Sequence, residues 1–225
     1  AVLFAGDKRY PEAMDFWRRA SAGGSLIDRK AAGQALYTKL LNGGTYRSAI
    51  EVAGDVGLFP NWDVSVGAVS NGGFETGLHS LGDGSDPFSW VVADGSFPRI
   101  GQNMDQKRSG TYSLLISFGQ GGSGQRPVSQ KIGVEPEAVY DLQFYYRSDV
   151  TTSARLRCDV LTASGAILAG AILPPAGDWA QMKIPISVPA NTEGIEIRIA
   201  MDGCSANGCT ASGNVWFDDF ALSKH

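Results

Sequence analysis

The feature that most limits the fold is an alternation of apolar and polar residues, which starts at about residue 61 and continues to the end of the sequence. A period of two is typical of β-strands with one buried face, because successive side chains point to opposite sides of a sheet. The 29 glycines among 225 residues favour many turns between such strands. We therefore predict a two-sheet β-sandwich over residues 61–225. Its predicted strands are residues 112–118, 140–146, 156–160, 182–186, 195–201 and 215–222.

Residues 1–60 show a different periodicity, in which apolar residues recur at helical spacing. Tyr10, Met14 and Trp17 fall on one side of a helix predicted over residues 10–20. The fold class is therefore mainly β, a two-sheet sandwich preceded by a short all-α segment that ends near residue 60.

Two more helices are predicted in this segment. Ser25 and Asp28 resemble a capping box, with aspartate in place of the usual glutamate, and open a helix that runs to residue 41. The two glycines that follow Asn42 end that helix. A third helix is predicted from about residue 46 to residue 56.

The helical segment contains a short internal repeat. The motif Tyr10-x-x-Ala13-Met14 recurs thirty-six residues later as Tyr46-x-x-Ala49-Ile50. The layout resembles tetratricopeptide repeats, whose small alanines allow paired helices to approach closely. That resemblance implies a protein partner for the helices, and we expect further repeats upstream because the first residue falls inside a helical unit. An unrelated three-helix cap is the alternative.

Six motifs follow one another in order along the β region. They are Asn71-Gly72-Gly73-Phe74-Glu75, Ser109-Gly110-Thr111-Tyr112-Ser113-Leu114, Gln130, Tyr140-x-Leu142-x-Phe144, Asp178-Trp179 and Val215-Trp216-Phe217-Asp218-Asp219-Phe220. With these motifs in this order, the region resembles the jelly-roll carbohydrate-binding modules of the family 4/9 type, which accompany bacterial glycanases. The resemblance implies a non-catalytic module that binds a polysaccharide or glycan in the cell envelope, periplasm or extracellular space of a bacterium.

Two adjacent carboxylates, Asp218 and Asp219, stand inside the apolar final strand. A buried ionised carboxylate is costly unless it is paired. The family resemblance implies a structural Ca²⁺ held by the side chains of Glu75 and Asp218, with Asp105 and the Arg108 carbonyl as companions. The alternative is that the two aspartates pair with arginines or cap backbone amides.

Strand alternation also predicts which polar side chains point away from the core. Residues 61–225 carry 11 basic and 17 acidic side chains, a balance of −6, so outward arginines are not part of a generally basic surface. Arginine forks bind carboxylate and sulfate groups in a bidentate manner. We predict a groove for an acidic polysaccharide lined by Gln143, Tyr145, Arg147, Arg155, Arg157 and Trp216.

An alternative function uses the same residues. Outward Arg and Asp or Glu side chains on neighbouring strands form cross-strand pairs of little energetic value. The jelly roll is then a structural scaffold that binds no sugar, and the helices do the binding. In either case we predict that Trp90 and Trp179 are structural.

Catalysis has little support in the sequence. The two histidines are His79 and His225, and neither stands in a hydrolase or metalloprotease motif. Asp83, Asp86 and Glu135 are candidate carboxylates for glycoside hydrolysis, but glycine-rich acidic loops are usually turns. We therefore predict that the protein is not an enzyme.

Net charge and hydropathy argue against two classes of binding partner, and the cysteine positions bear on burial and disulfide formation. A formal net charge of −4 argues against nucleic acid, and no apolar run of about eighteen residues is present to enter a membrane. Cys158 alternates with apolar residues and is predicted to be buried. Cys204 and Cys209 either close a local disulfide or remain free thiols in a turn.

Overall fold

The computed structural model describes residues 1–21, 26–59, 63–81, 86–119, 126–203 and 211–225. Several predictions concern residues outside these ranges. They are the Ser25 cap, the candidate acid Asp83 and the pairing of Cys204 with Cys209.

The described part of the N-terminal segment contains four helices. They are α1 (Val2–Gly6), α2 (Tyr10–Ala20), α3 (Leu26–Asn42) and α4 (Tyr46–Asp55), which confirms the three predicted helices. The helix α2 buries Met14 and Trp17, as their spacing predicts, and the indole nitrogen of Trp17 donates to a carboxylate oxygen of Asp55 in α4 (2.9 Å). The tetratricopeptide assignment stays a prediction.

The described strands form two sheets that face each other as a sandwich. Sheet A has the strand order β1–β2–β5–β11–β8–β9, and sheet B has the order β10–β6–β12–β4–β3, with β7 paired to β12. The first six strands are β1 (His79–Ser80), β2 (Val91–Val92), β3 (Arg99–Asn103), β4 (Ser113–Phe118), β5 (Val128–Gly133) and β6 (Val139–Ser148). The others are β7 (Thr151–Thr152), β8 (Arg155–Thr162), β9 (Ile167–Ile172), β10 (Ala176–Ser187), β11 (Gly194–Asp202) and β12 (Ala211–Lys224).

The inner faces of the two sheets bury one continuous apolar core. Aromatic rings fill one part of it, where Phe144 stacks on Phe220 with 4.5 Å between ring centroids. Trp90 is buried in the same core, as predicted, and so is Cys158, where burial raises the pKa of the thiol. Trp179 differs from its prediction because it is only half-buried and lies outside the buried core.

The helical segment is docked on one end of sheet A through a pair of glycines. Gly133 and Gly194 lie directly opposite each other on β5 and β11. A side-chain carbon at Gly194 would lie 2.6 Å from Cγ of the Tyr46 ring and closer still to Cδ2, so only glycine allows α4 to approach this closely. The amide of Arg47 donates to the Glu193 carbonyl (3.0 Å) at the same contact. The two parts of the chain therefore share a packed interface.

Candidate functional site

The six predicted ligand-binding residues lie on two different sheets, so they do not line a single groove. Gln143, Tyr145 and Arg147 point outward from β6, and Trp216 lies opposite Arg147 on β12, all on the outer face of sheet B. Arg155 and Arg157 lie on β8 in sheet A. The alternation was interpreted correctly, but the prediction of one common face was wrong because these strands pair with different neighbours.

On sheet B, the rings of Tyr145 and Trp216, the two aromatic residues predicted to bind sugar, each lie near an arginine. The guanidinium carbon of Arg108 lies 3.5 Å from the centroid of the Tyr145 ring. The guanidinium carbon of Arg147 lies 6.0 Å from the Trp216 ring centroid, and its Nη1 donates to Gln106 Oε1 (2.7 Å). Cation–π contacts of this kind occupy the ring faces that a sugar would need. This face therefore matches the alternative of paired polar side chains.

One residue of this outer face was missed by the sequence analysis. Ala180 packs against the core, and strand alternation therefore turns Trp179 toward the outer side of β10. The register places the segment between Ala176 and Ala180 opposite Arg147. The signal was present in the alternation of Met182, Ile184 and Ile186, which makes the odd-numbered positions of this strand face outward.

On sheet A, an ion-pair cluster forms around a buried carboxylate. Asp159 is only 5% exposed and accepts hydrogen bonds from Arg157 Nε (3.0 Å) and Nη2 (2.7 Å). Arg198 on the neighbouring strand brings its Nη2 to 3.7 Å from the second carboxylate oxygen. The hydrogen bond to Asp159 raises the pKa of Arg157, so this guanidinium stays charged. We call Arg157, Asp159 and Arg198 the arginine cluster.

A glycine on the edge strand makes room for the arginine cluster. Gly170 lies opposite Asp159 in the register of β8 and β9. A side-chain carbon at this position would lie 3.1 Å from Arg157 Nη2 and 3.2 Å from the carboxyl carbon of Asp159. Any larger residue would therefore push against the ion pair.

The arginine cluster lines a cavity of about 460 Å³ on the outer face of sheet A. Arg198 Nε is buried and has no hydrogen-bond partner among the described residues. At the rim, Arg155 pairs with Asp202 (3.1 Å), so it is close to the cavity but not free. The cavity thus offers guanidinium donors and carboxylate acceptors side by side. Its lining residues are Pro127, Arg157, Asp159, Ile167, Arg198, Ala200, Met201 and Asp202.

The acids predicted to hold calcium have hydrogen-bond donors of their own. Asp218 is completely buried, and its Oδ2 accepts from the amides of Arg108 (2.8 Å) and Ser109 (3.1 Å). Asp219 accepts from the Ser109 hydroxyl (2.6 Å) and pairs with the Arg108 guanidinium (2.5 Å). Glu75 accepts from the Thr111 amide (3.0 Å). These contacts are the pairing that we gave as the alternative to calcium.

Both adjacent aspartates reach the same loop because the strand is irregular here. The pairing of β12 with β6 shifts register between Asp218 and Ala221, and Asp219 has a φ of 53°. Burial is the main influence on Asp218 and raises the pKa of its carboxyl group, while the amides of Arg108 and Ser109 act in the opposite direction.

The predicted set of four calcium ligands is not assembled. Asp105 is exposed, and no group of three acidic, histidine or cysteine side chains within the described residues is arranged to hold a metal ion. Glu75, Asp218 and Asp219 nevertheless each have an atom between 3.7 and 3.9 Å from the position of a side-chain carbon at Gly73. Three carboxylates therefore share one neighbourhood with one arginine, and calcium binding stays a prediction.

Two of the candidate catalytic acids have structural roles. Asp86 Oδ1 accepts from the Phe88 amide (2.9 Å), and Glu135 pairs with Lys224 (2.6 Å). Across the described part of the chain, no helix combines the length and apolar content needed to cross a membrane.

The fold is similar to that of solved carbohydrate-binding modules. One is a family 61 module determined in complex with β-1,4-galactotriose, with a TM-score of 0.51, 20% identity and coverage of 72% of this chain and 100% of that one. A family 4 module gives a TM-score of 0.52 at 16% identity, covering 70% and 99% of the two chains. An enzymatically active domain of a bacteriophage CBA120 tailspike protein gives 0.50 at 18% identity, but only 21% of that chain is covered.

Comparisons of sequence add nothing to this likeness of fold. No protein-family profile matches the chain, and no curated protein matches it. The similarity to carbohydrate-binding modules is therefore one of architecture. This chain is mainly β, a jelly-roll sandwich, and a few helices precede it.

Proposed function

We propose that the β-sandwich is a non-catalytic module that binds a polysaccharide bearing carboxylate or sulfate groups at the arginine cluster of sheet A. The observation that carries this proposal is the cavity of about 460 Å³, which is lined by Arg157 and Arg198 around the buried Asp159. The architecture supports it, because the modules with a similar fold include one that was solved with a bound galactotriose.

The chemistry of the cluster suits an anionic sugar. Arg157 uses Nε and Nη2 on Asp159, which fixes the guanidinium plane and leaves Nη1 for a ligand. Arg198 contributes the buried Nε that lacks a partner among the described residues. Two oriented guanidinium groups bind a carboxylate or sulfate at a lower entropic cost than mobile side chains would. Asp159 and Asp202 would accept hydrogen bonds from sugar hydroxyls.

The helical segment has a separate role in this proposal. Its tetratricopeptide-like helices would link the module to a protein partner, in the cell envelope, the periplasm or the extracellular space of a bacterium. The interface at Gly133 and Gly194 supports a fixed geometry between the partner and the sugar site, because α4 contacts the same sheet that carries the cavity.

A scaffold without sugar binding is the second candidate function. The observation that favours it is the association of Tyr145 and Trp216 with arginines on sheet B, because both aromatic rings predicted to bind sugar contact a guanidinium group instead. In this case the arginine cluster is a structural ion pair, and the helices alone carry the function.

Affinity electrophoresis against neutral, uronate-containing and sulfated soluble polysaccharides tests both candidates. We expect an acidic polysaccharide to retard the wild type, and we expect Arg157→Ala and Arg198→Ala to lose that retardation. Arg147→Ala is the matched control, because it removes a half-buried arginine from the opposite sheet. Loss of retardation in Arg147→Ala or Tyr145→Ala but not in Arg157→Ala would move the site to sheet B.

Two outcomes would contradict the proposal of an acidic-polysaccharide site. If no polysaccharide retards the wild type, the scaffold candidate replaces it. If retardation occurs but is unchanged by added salt, the charged contacts are not the source of binding, because exposed ion pairs weaken as ionic strength rises. Thermal melts of each variant establish that a lost interaction is not simply lost folding.

A further inference from the structure

The edge strand β9 lacks the protection that the other described sheet edges have. It ends sheet A and, among the described strands, pairs only with β8. Among the other described edges, β1 has two residues, β3 carries Arg99, and β10 carries Lys183 and Pro185. Short strands, charges and prolines are the usual means of preventing edge-to-edge pairing.

The composition of β9 is the opposite of a protected edge. No charged side chain occurs between Asp159 and Asp178. Ile167 and Ile172 are 57% and 47% exposed although both are large and apolar. The pairing with β8 is regular from Ala169 to Ile172, so the open side of this stretch presents backbone groups in ordinary strand geometry that pair with no other described strand.

The sequence of β9 is complementary to itself. Around Gly170, residues of the same type or size are arranged symmetrically on both sides. If two copies of this strand run antiparallel with Gly170 at the centre, every opposed pair is apolar and no charges meet. The opposed pairs are then Ala169 with Ala171, Leu168 with Ile172 and Ile167 with Leu173.

We propose that β9 is the pairing site for a second copy of this chain, which forms an isologous dimer by antiparallel β9–β9 association. A self-complementary edge fits a copy of itself, because a two-fold axis through Gly170 brings the same surface to both sides of the interface. Sheet A then becomes one continuous sheet across two protomers.

This geometry has a consequence for sugar binding, which rests on the function proposed above. The two-fold axis of antiparallel strand pairing is perpendicular to the sheet, so both outer faces of sheet A look in the same direction. Ile167 lines the cavity and also belongs to β9, which places the two cavities on either side of the interface. Two sites on one face bind one polymer bivalently, and the second contact benefits from a raised effective concentration.

Sedimentation equilibrium of the full chain over a wide range of concentrations tests the dimer. We expect the wild type to approach twice the mass of the 23.8 kDa chain as concentration rises. Ile172→Lys should remain a monomer, because a charge on the open edge opposes pairing. Met104→Lys is the control, since it adds the same charge at a similarly exposed apolar residue (56%) outside β9.

Two results would overturn the dimer. One is a wild type that stays monomeric at every concentration, and the other is a dimer that persists unchanged in Ile172→Lys. Ile172→Thr, which keeps a β-branched residue, replaces the lysine variant if circular dichroism shows that the latter is unfolded.

The proposals of a dimer and of a sugar site can be refuted independently of each other. Sedimentation needs no sugar, so it judges the dimer alone. Ile172 lies opposite Arg157, so the binding comparison uses Ile172→Thr, which adds no charge beside the arginine cluster. On a surface coated with an acidic polysaccharide, this variant should dissociate at least tenfold faster than the wild type, whereas affinities for a short soluble oligosaccharide should be equal. Equal dissociation of a dimeric and a monomeric variant would reject the bivalent arrangement while leaving the dimer intact.

Discussion

Replacement of Gly194 by alanine is the sharpest test of how the helical segment is held on the sandwich. The new methyl group would lie 2.5 Å from the Gly44 carbonyl oxygen and 2.6 Å from Cγ of the Tyr46 ring. Ordinary contacts begin at 3.4 Å, so the strand and the helical segment must separate by about 0.9 Å, the difference between 3.4 and 2.5 Å. Tyr46 is only 4% exposed and has little room to move away.

The expected cost follows from this displacement. Overpacking of a well-packed contact costs about 1–3 kcal/mol, and the backbone oxygen of Gly44 cannot rotate aside as a side chain would, so we expect about 2–3 kcal/mol here. For a chain of this size, each kcal/mol lowers the melting temperature by about 2–4 °C, so a decrease of roughly 4–12 °C is expected. Gly133→Ala should act in the same way, because its methyl group would lie 3.0 Å from the backbone of Arg47.

The assay is thermal and urea unfolding followed by far-ultraviolet circular dichroism and by tryptophan fluorescence. Gly101→Ala in β3 is the matched control, because it also adds a methyl group to a strand. Apart from the two adjacent residues, no atom of the described residues would lie within 4 Å of that methyl group. We expect Gly101→Ala to change stability by less than about 0.5 kcal/mol. Equal stability of Gly194→Ala and Gly101→Ala would refute the close packing of α4 on sheet A.

Two further predictions concern the carboxylates near Gly73. If Ca²⁺ binds Glu75, Asp218 and Asp219, the melting temperature will rise with calcium concentration and fall in EDTA, because a ligand of the folded state stabilises it by mass action. Superimposable melts would mean that the backbone amides and Arg108 stabilise these carboxylates without a metal ion. In EDTA, the carboxyl carbon of Asp218 should titrate above the usual aspartate range in an NMR pH series, because burial raises its pKa. Since the folded state then binds this proton more tightly than the unfolded state, its contribution to stability should decrease as pH rises through that range; a titration at or below the usual value would contradict this account.

Local periodicity was sufficient to predict most of the fold. The strands β6, β8 and β11 are each eight or more residues long and contain a clearly alternating stretch. They were placed correctly because the period of two is a property of the segment's own sequence. The two-residue strands β1, β2 and β7 are too short to show a period. The strand β9 was missed because its sequence, ILAGAI, is apolar without alternation.

The site was harder to predict because it depends on pairing between distant segments. Alternation within each strand places Asp159 and Arg198 on outward faces, but only the register of β8 with β11 brings the two side chains together. The contact of Arg108 with Tyr145 depends on the path of a loop, which has no periodic signal. The turn of Asp219 toward Ser109 depends on a positive φ at a residue other than glycine.

The position of β12 has a consequence for how the protein folds as it is synthesised. This strand includes the last apolar residues of the sequence, yet it lies between β6 and β4 in the middle of sheet B. The facing edges of β4 and β6 therefore remain unpaired on the ribosome until β12, which follows both of them in the chain, has been made. We expect sheet B to form late and slowly, because its central pairings join segments far apart in the chain. Until then the nascent chain exposes apolar strands, so its yield in the cell should depend strongly on chaperones.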